Sequence, residues 1–298
     1  MIRFDGQTAI VTGAGGGLGR AHALELARRG AHVVVNDPGG ARDGGGSSGA
    51  ADAVVAEIVA GGGSAMANTA SVTDFAAIQD MVAEARARFG GVHMLIANAG
   101  ILRDKSFANM DMADFAAVLD VHLSGTAHVC KAVWEDMRAQ GYGRIVMTTS
   151  GAGLFGNFGQ ANYAAAKMGL VGLARTLHLE GARHNIRVNL IAPVAATRML
   201  ADIMPEETFE KFDLASVTAT ALYLLSEGVP SNQIVGVGAG VVQSAEIVMG
   251  AGVVLPPNAH TVEGVADVFA TVQARDGARP LTSGADHALS ILQRLQAG

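Results

Sequence analysis

The sequence predicts an α/β fold built on a doubly wound parallel sheet. Three observations point there. Short apolar runs alternate with helix-period segments up to about residue 240. The first apolar run passes straight into a glycine-rich turn that opens a helix. The composition is 50% hydrophobic but only 5% aromatic, with 39 glycines, which suits small-residue helices lying close against a sheet covered on both faces.

The elements follow in order. Residues 8–11 (TAIV) read as a buried strand and 18–29 as a helix. Residues 32–36 (HVVVN) form a second strand, 50–60 a helix, 64–68 a third strand, 75–89 a helix and 92–97 a fourth strand. Residues 113–137 are expected as one long helix, followed by a strand at 144–148, a long helix at 161–181 and a strand at 187–191. A helix at 215–225 and a seventh strand at 234–237 complete the alternation, which requires right-handed crossovers. Past Gly240 the pattern weakens: 241–254 reads as an edge hairpin and 287–295 as a terminal helix. No composition break marks a second folded domain. One catalytic domain is expected over 1–240, with an extension over 241–298 packed on it. The stretch 38–49 (PGGARDGGGSSG) reads as a surface loop.

Bulk properties exclude several classes. The net charge is -6 with no Lys/Arg block, which argues against a nucleic-acid partner. Residues 1–7 lack the signal-peptide pattern and no run of about 18 apolar residues occurs, so a soluble, cytoplasmic protein without membrane contact is expected. The one cysteine, Cys130, lies in an apolar helical stretch and reads as a small buried hydrophobe. The nine histidines show no ligand spacing with an acidic partner, so no metal is expected. Trp134, Met110, Met112 and Met137 read as core or interface packing.

The turn Thr12-Gly13-Ala14-Gly15-Gly16-Gly17-Leu18-Gly19 sits between strand and helix, the context in which a backbone approaches a pyrophosphate at a helix N-terminus. Asp37 ends the second strand, about 18 residues past Gly19. A carboxylate there accepts both ribose hydroxyls and repels a 2′-phosphate, so NAD is expected; the alternative is a strand-end turn former, and Arg42 is a nearby cation suited to a 2′-phosphate. Asn98-Ala99-Gly100 closes the fourth strand on the side where ligands bind. Tyr163 and Lys167 share one helix face. An ammonium beside a phenol favours the phenolate, which exchanges protons with an alcohol or ketone. Ser150, 13 residues before Tyr163 and just past a strand, can bond the substrate oxygen as charge develops on it.

The TGxxxGxG turn, the NAG turn, Ser150 and the YxxxK pair together resemble the short-chain dehydrogenase/reductase family over residues 8–197. The resemblance implies a Rossmann-type fold with a seven-stranded parallel sheet. It implies cofactor contacts from Gly13, Gly17, Leu18, Gly19, Asp37, Asn98, Gly100, Tyr163 and Lys167. It further implies Tyr163 as acid/base, Lys167 on the nicotinamide ribose, and Ser150 orienting the substrate. Pro193 and Thr197 match the segment that wraps the nicotinamide end. Helices 113–137 and 161–181 correspond to those that pair subunits, implying a homodimer or homotetramer.

A narrower resemblance extends over nearly the whole chain. VVVNDPGG (33–40), AGILRDKSF (99–107), VHLSGTAHV (121–129), GNFGQANYAAAK (156–167) and MPEE (204–207) are similar to the (3R)-hydroxyacyl-CoA dehydrogenase portion of peroxisomal multifunctional enzymes of type two and their stand-alone bacterial relatives. This implies a (3R)-hydroxyacyl-CoA substrate. Three departures stand out. His122 replaces the wider family's catalytic Asn and is a candidate proton relay. Val194 follows Pro193 where Gly is usual. Ser71 and Val72 stand where an acidic residue often lies near the adenine. Arg103, Lys105 and Arg198 are candidates to meet CoA phosphates, and the short stretch between Arg198 and Ala215 leaves little chain for a closed lid. The alternatives are a dehydrogenase of free hydroxysteroids and a catalytically silent nucleotide-binding regulator.

Overall fold

A computed structural model describes residues 1–40, 49–194 and 213–297. Two compact units divide the chain, Met1–Ser244 and Ala245–Gly298. In the first, strands β1 (Thr8–Thr12), β2 (His32–Asn36), β3 (Ser64–Asn68), β4 (Met94–Ala97), β5 (Gly143–Thr148), β6 (Ile186–Pro193), β7 (Ile234–Gly238) and β8 (Val241–Ala245) form one sheet in the order β3-β2-β1-β4-β5-β6-β7-β8. Strands β1 to β7 pair in parallel, with Val11 opposite both Val35 and Ile96, and Val146 opposite both Ile96 and Asn189. Every residue of β1, β4 and β5 is buried, as a sheet covered on both faces demands. The order reverses between β1 and β4, so the carboxyl ends of these strands flank a crevice.

The helices are α1 (Gly17–Arg28), α2 (Ala50–Ala60), α3 (Phe75–Phe89), α4 (Met112–Leu119), α5 (Gly125–Gln140), α6 (Gly151–Phe155), α7 (Ala161–Gly181) and α8 (Leu214–Leu224). Side-chain caps start four of them: Asp74 accepts from Ala77 N, Asp111 from Ala113 N, Ser150 from Ala152 N and Asp213 from Ser216 N. Helix α1 starts at Gly16 with no side-chain cap and no acidic residue in its first turn.

Two expectations change. The expected single helix over 113–137 is two helices, α4 and α5, joined by a π-helical turn at Asp120–Ser124. A single π-turn differs from α-helix only in its i→i+5 bonding, and no residue type in the run announces it. The expected hairpin over 241–254 does not form on itself. β8 joins β7 through Ala239 and Gly240, both at positive φ (49° and 77°), which suits a two-residue antiparallel turn and adds an eighth strand. Val248–Met249, strand β9, pairs instead with β10, Arg279–Pro280, in the second unit. That unit also holds α9 (Val262–Val272) and α10 (Gly284–Ala297), the former unanticipated. Its apolar side chains, among them Val262, Phe269, Leu292 and Leu295, are largely exposed.

Trp134, Met137 and Cys130 are buried along α5, and burial pushes the Cys130 thiol up to about 12, so it is an inert hydrophobe. Met112 is exposed at the start of α4 in the single chain. His22 on α1 is buried against α8, its Nδ1 3.0 Å from Thr218 Oγ1, and burial lowers its pKa to about 4. Unfolded, the same imidazole titrates near 6.5. Between these values the unfolded chain binds the extra proton, so stability rises with pH. The contribution of neutral His22, about 3 kcal/mol, is complete above pH 6.5 and disappears as the pH falls toward 4. In His22→Gln the loss of Tm between pH 6.5 and 4.5 is expected to be smaller than in the parent. Identical acid limbs in thermal melts of the two proteins refute this.

Candidate active site

The cofactor end begins with the turn after β1. Gly13 has φ 64°, and a Cβ there would lie 2.8 Å from Ala99 Cα; at Gly19 it would lie 2.1 Å from Gly13 O. These two glycines are required by the chain's own closure. Gly17, at φ 52°, has open space where its Cβ would be, beside the uncapped first turn of α1. Leu18 is partly buried against the core. Thr12 Oγ1 accepts from the backbone N–H of Asn98 (3.0 Å) and Ala99 (3.1 Å), while Asn98 Nδ2 donates to Thr12 O and Gly13 O at 3.3 Å. The Asn98 amide thus stitches the β4 end to the glycine turn. Thr12 opens the TGxxxGxG turn, but its hydroxyl's hold on the β4 end was not read from sequence.

Asp37 Oδ2 accepts from Gly15 N (2.8 Å) and Oδ1 from Gly39 N (2.7 Å), which fixes the carboxylate at the end of β2 beside the turn. Gly15 is needed here, because a Cβ would stand 2.8 Å from Asp37 Cγ. Ser71 Oγ bonds Thr73 Oγ1 at 2.8 Å. Val72 is buried, and its carbonyl lies 2.9 Å from His128 Nδ1. Pro193 ends β6. Arg42, Thr197, Arg198 and the MPEE segment lie outside the described residues.

The second half of the site forms where β5 ends. Ser150 caps α6 beside Tyr163 of α7, near enough to hold the phenol's pKa down. One turn further, Lys167 Nζ donates to Thr148 O at 2.5 Å and sits 5.6 Å from the Tyr163 ring centroid. Thr149 Oγ1 donates to Lys167 O (2.8 Å), and Gly153 admits α6 against Lys167, where a Cβ would lie 2.7 Å away. The π-turn aims His122 into the same place. Its ring meets Tyr163 edge-on, with centroids 5.2 Å apart and an interplanar angle of 89°. Its Nε2 is 2.8 Å from Ile101 O and 3.1 Å from Ile101 N, and its Nδ1 has no hydrogen-bond partner. Ser150, Tyr163, Lys167 and His122 are therefore brought together.

Burial sets their ionisation. It lowers Lys167 to about 7 and raises the Tyr163 phenol, with the Ser150 hydrogen bond opposing the rise and the Asp104 carboxylate adding to it. Desolvation and the nearby Lys167 push His122 down to about 3, so its imidazole is neutral at physiological pH. The ammonium expected to favour the phenolate is itself opposed here, because desolvation works against the charged form of both groups.

Several supporting residues escaped the sequence reading. Asn162, fully buried, accepts from Tyr163 N (2.8 Å) and donates from Nδ2 to Arg103 O (3.0 Å). Gln160 Nε2 donates to Asp104 (2.7 Å), and Lys105 N to Gly159 O (3.0 Å). Arg103 and Lys105 both pair with Asp114, at 2.8 and 3.2 Å, so neither is an unengaged phosphate ligand. Among the described residues no group of His, Cys, Asp and Glu is arranged to hold a metal, and no helix is long and apolar enough to cross a membrane.

Residues 7–208 match the family model described as short chain dehydrogenase. A short-chain type dehydrogenase/reductase of Mycobacterium tuberculosis is 50% identical over 274 residues, 91% of this chain and 95% of that protein. The Drosophila melanogaster peroxisomal multifunctional enzyme type 2 is 43% identical over 305 residues, covering all of this chain and 50% of that enzyme, so the chain spans about half of that relative. Its full-length structure superposes with a TM-score of 0.84 at 38% identity, over 99% of this chain and 50% of that one. A hydroxyacyl-CoA dehydrogenase of M. tuberculosis is 41% identical over 208 residues, 67% of this chain and 64% of that enzyme. A 7α-hydroxysteroid dehydrogenase solved with NADH and 7-oxo glycochenodeoxycholic acid gives a TM-score of 0.71 at 32% identity, over 80% of this chain and 95% of that one.

Gly100 faces His122 so closely that an added Cβ would lie 2.2 Å from Cε1. Gly100→Ala is expected to displace the ring and cost about 1–3 kcal/mol of stability. Combining it with His122→Ala should relieve most of that cost. Additive losses in a double-mutant cycle, measured by chemical denaturation, would show that the two positions do not meet.

Proposed function

The chain belongs to the short-chain dehydrogenase family, and we propose that it moves a hydride between NAD and the 3-hydroxyl of a (3R)-hydroxyacyl-CoA. It is an oxidoreductase of CH–OH groups that uses a nicotinamide cofactor. The observation that carries the reading is the grouping of Ser150, Tyr163 and Lys167 at the end of β5, with Lys167 Nζ bonded to the Thr148 carbonyl and 5.6 Å from the Tyr163 ring centroid. The acyl-CoA assignment draws on likeness to a hydroxyacyl-CoA dehydrogenase and to the multifunctional enzymes.

The chain fits the cofactor. The uncapped first turn of α1 and the open face at Gly17 accept a pyrophosphate. Asp37, pinned by two backbone N–H groups, keeps a negative charge where a 2′-phosphate would lie, which favours NAD. When bound, the oxidised nicotinamide supplies the hydride acceptor and a positive charge. Ser150 holds the substrate oxygen, and the Tyr163 oxygen takes the hydroxyl proton. Lys167 binds the nicotinamide ribose, its ammonium easing the phenolate against the cost of burial. His122 Nδ1, neutral and without a protein partner, relays protons beside Tyr163. A homodimer or homotetramer uses the α4–α5 stretch and α7, where Met168 and Leu179 are exposed on α7. The cytoplasm is the proposed compartment, in keeping with a single cysteine that forms no disulfide.

For the cofactor, NAD is expected to bind more tightly than NADP, and Asp37→Ala to narrow the gap. Titration by protein fluorescence measures both, and equal or tighter NADP binding by the parent overturns the choice. For the reaction, kcat/KM is compared for 3-hydroxyacyl-CoA thioesters and free hydroxysteroids, the latter suggested by the hydroxysteroid dehydrogenase structure. Thioesters are expected to win, and Tyr163→Phe to lower turnover about 10²-fold or more with little change in NAD binding. Free steroids ahead by tenfold would replace the acyl-CoA reading, and no turnover of any alcohol would favour a regulator.

A further inference from the structure

Phenylalanine is costly to leave in water, since its ring buries a large apolar area when it packs. Among the described residues of the first unit, three phenylalanines are exposed: Phe107 (70%), Phe155 (81%) and Phe158 (91%). All three sit on two segments that border the catalytic hydroxyls. Phe155 ends α6, which Ser150 caps, so by helical rise its Cα is about 7.5 Å along the axis from Ser150. Phe158 lies in the loop that leads into Tyr163, and Phe107 in a short helical turn following the Ile101 segment that touches His122.

The two segments are fastened together. Lys105 N donates to Gly159 O, Gln160 Nε2 to Asp104 and Asn162 Nδ2 to Arg103 O, at 2.7–3.0 Å. Gly156 and Gly159 hold positive φ (81° and 80°) on either side of Phe158, fixing the loop that presents it. The polar groups of these segments are thus spent on each other and their aromatic rings are turned outward. An apolar surface on the segments that carry Ser150 and lead into Tyr163 calls for an apolar part of the substrate.

We propose that Phe155 and Phe158, with Phe107 beside them, receive the hydrocarbon tail of the substrate beyond the carbon that is oxidised, and so set chain-length preference. This rests on the acyl-CoA reading above. The occupant is the tail of the bound thioester; a second copy of the chain on the same surface is the competing outcome.

The test uses the full chain with 3-hydroxyacyl-CoA thioesters of four, eight and twelve carbons. In the parent, kcat/KM is expected to rise with length, by up to about fourfold for each methylene buried. In Phe155→Ser/Phe158→Ser the ratio of kcat/KM for twelve carbons to that for four should fall tenfold or more. Phe155→Ala and Phe158→Ala, each milder, should lower the same ratio and serve if the double variant does not fold. A ratio within twofold of the parent's in all variants overturns the proposal while leaving the acyl-CoA reading intact. A parent that turns over no 3-hydroxyacyl-CoA overturns both. Loss of the parent's oligomeric state in sedimentation velocity, with the ratio unchanged, assigns the surface to contact between copies and overturns it too.

Discussion

The hydrogen bond from Lys167 Nζ to the Thr148 carbonyl ties α7 to the end of β5. Buried amines demand such partners, because an ammonium out of water with nothing to donate to is far too costly. This contact, together with Thr149 Oγ1 on the Lys167 carbonyl, sets the angle at which α7 crosses the strand end. The Tyr163 phenol then meets Ser150, and the Tyr163 ring meets His122. Gly153 permits the approach of α6 from the other side. The site is thus a by-product of satisfying one buried amine within a tightly packed helix–strand junction.

The parts of this arrangement with local spacing were legible in sequence. Strands β2 and β3 and helices α2, α3 and α7 keep their expected bounds, since each is a clean periodic run between glycines or turn residues. Ser150, Tyr163 and Lys167 could be named because the strand end and the i, i+4 helix pair are visible as spacing. His122 could be named but not placed, because its orientation comes from a π-turn inside an unbroken apolar stripe. Asn162, Gln160 and Asp104 were invisible for another reason. Their partners lie more than 50 residues away or on the backbone, and no pairwise spacing announces such contacts. The tail misled most. Its strands are two to five residues long, and their pairing is decided by turn geometry at Ala239–Gly240 and by a strand 30 residues further on.

Low polarity also explains the charge states. His22, His122, Tyr163 and Lys167 are all shifted toward their neutral forms by the same desolvation. Beside the reacting groups His122 and Tyr163 are thus held neutral, and Lys167, brought down to about 7, is the one whose charge is in balance at neutral pH. Any cation brought by a ligand acts in a medium that screens it weakly, so its effect on the phenol is larger than it would be in water.

Drift meets two kinds of position around this centre. Gly13, Gly19 and Gly100 are closed to change, because any side chain there collides with backbone or with His122. Phe155 and Phe158 are open, because exposed residues away from the packing are usually replaced within about half a kcal/mol. Descendants of one such gene can therefore diverge in the molecules they accept while the reaction and the fold stand still. Diversification would begin on the rim, at the aromatic positions, long before it could reach the centre.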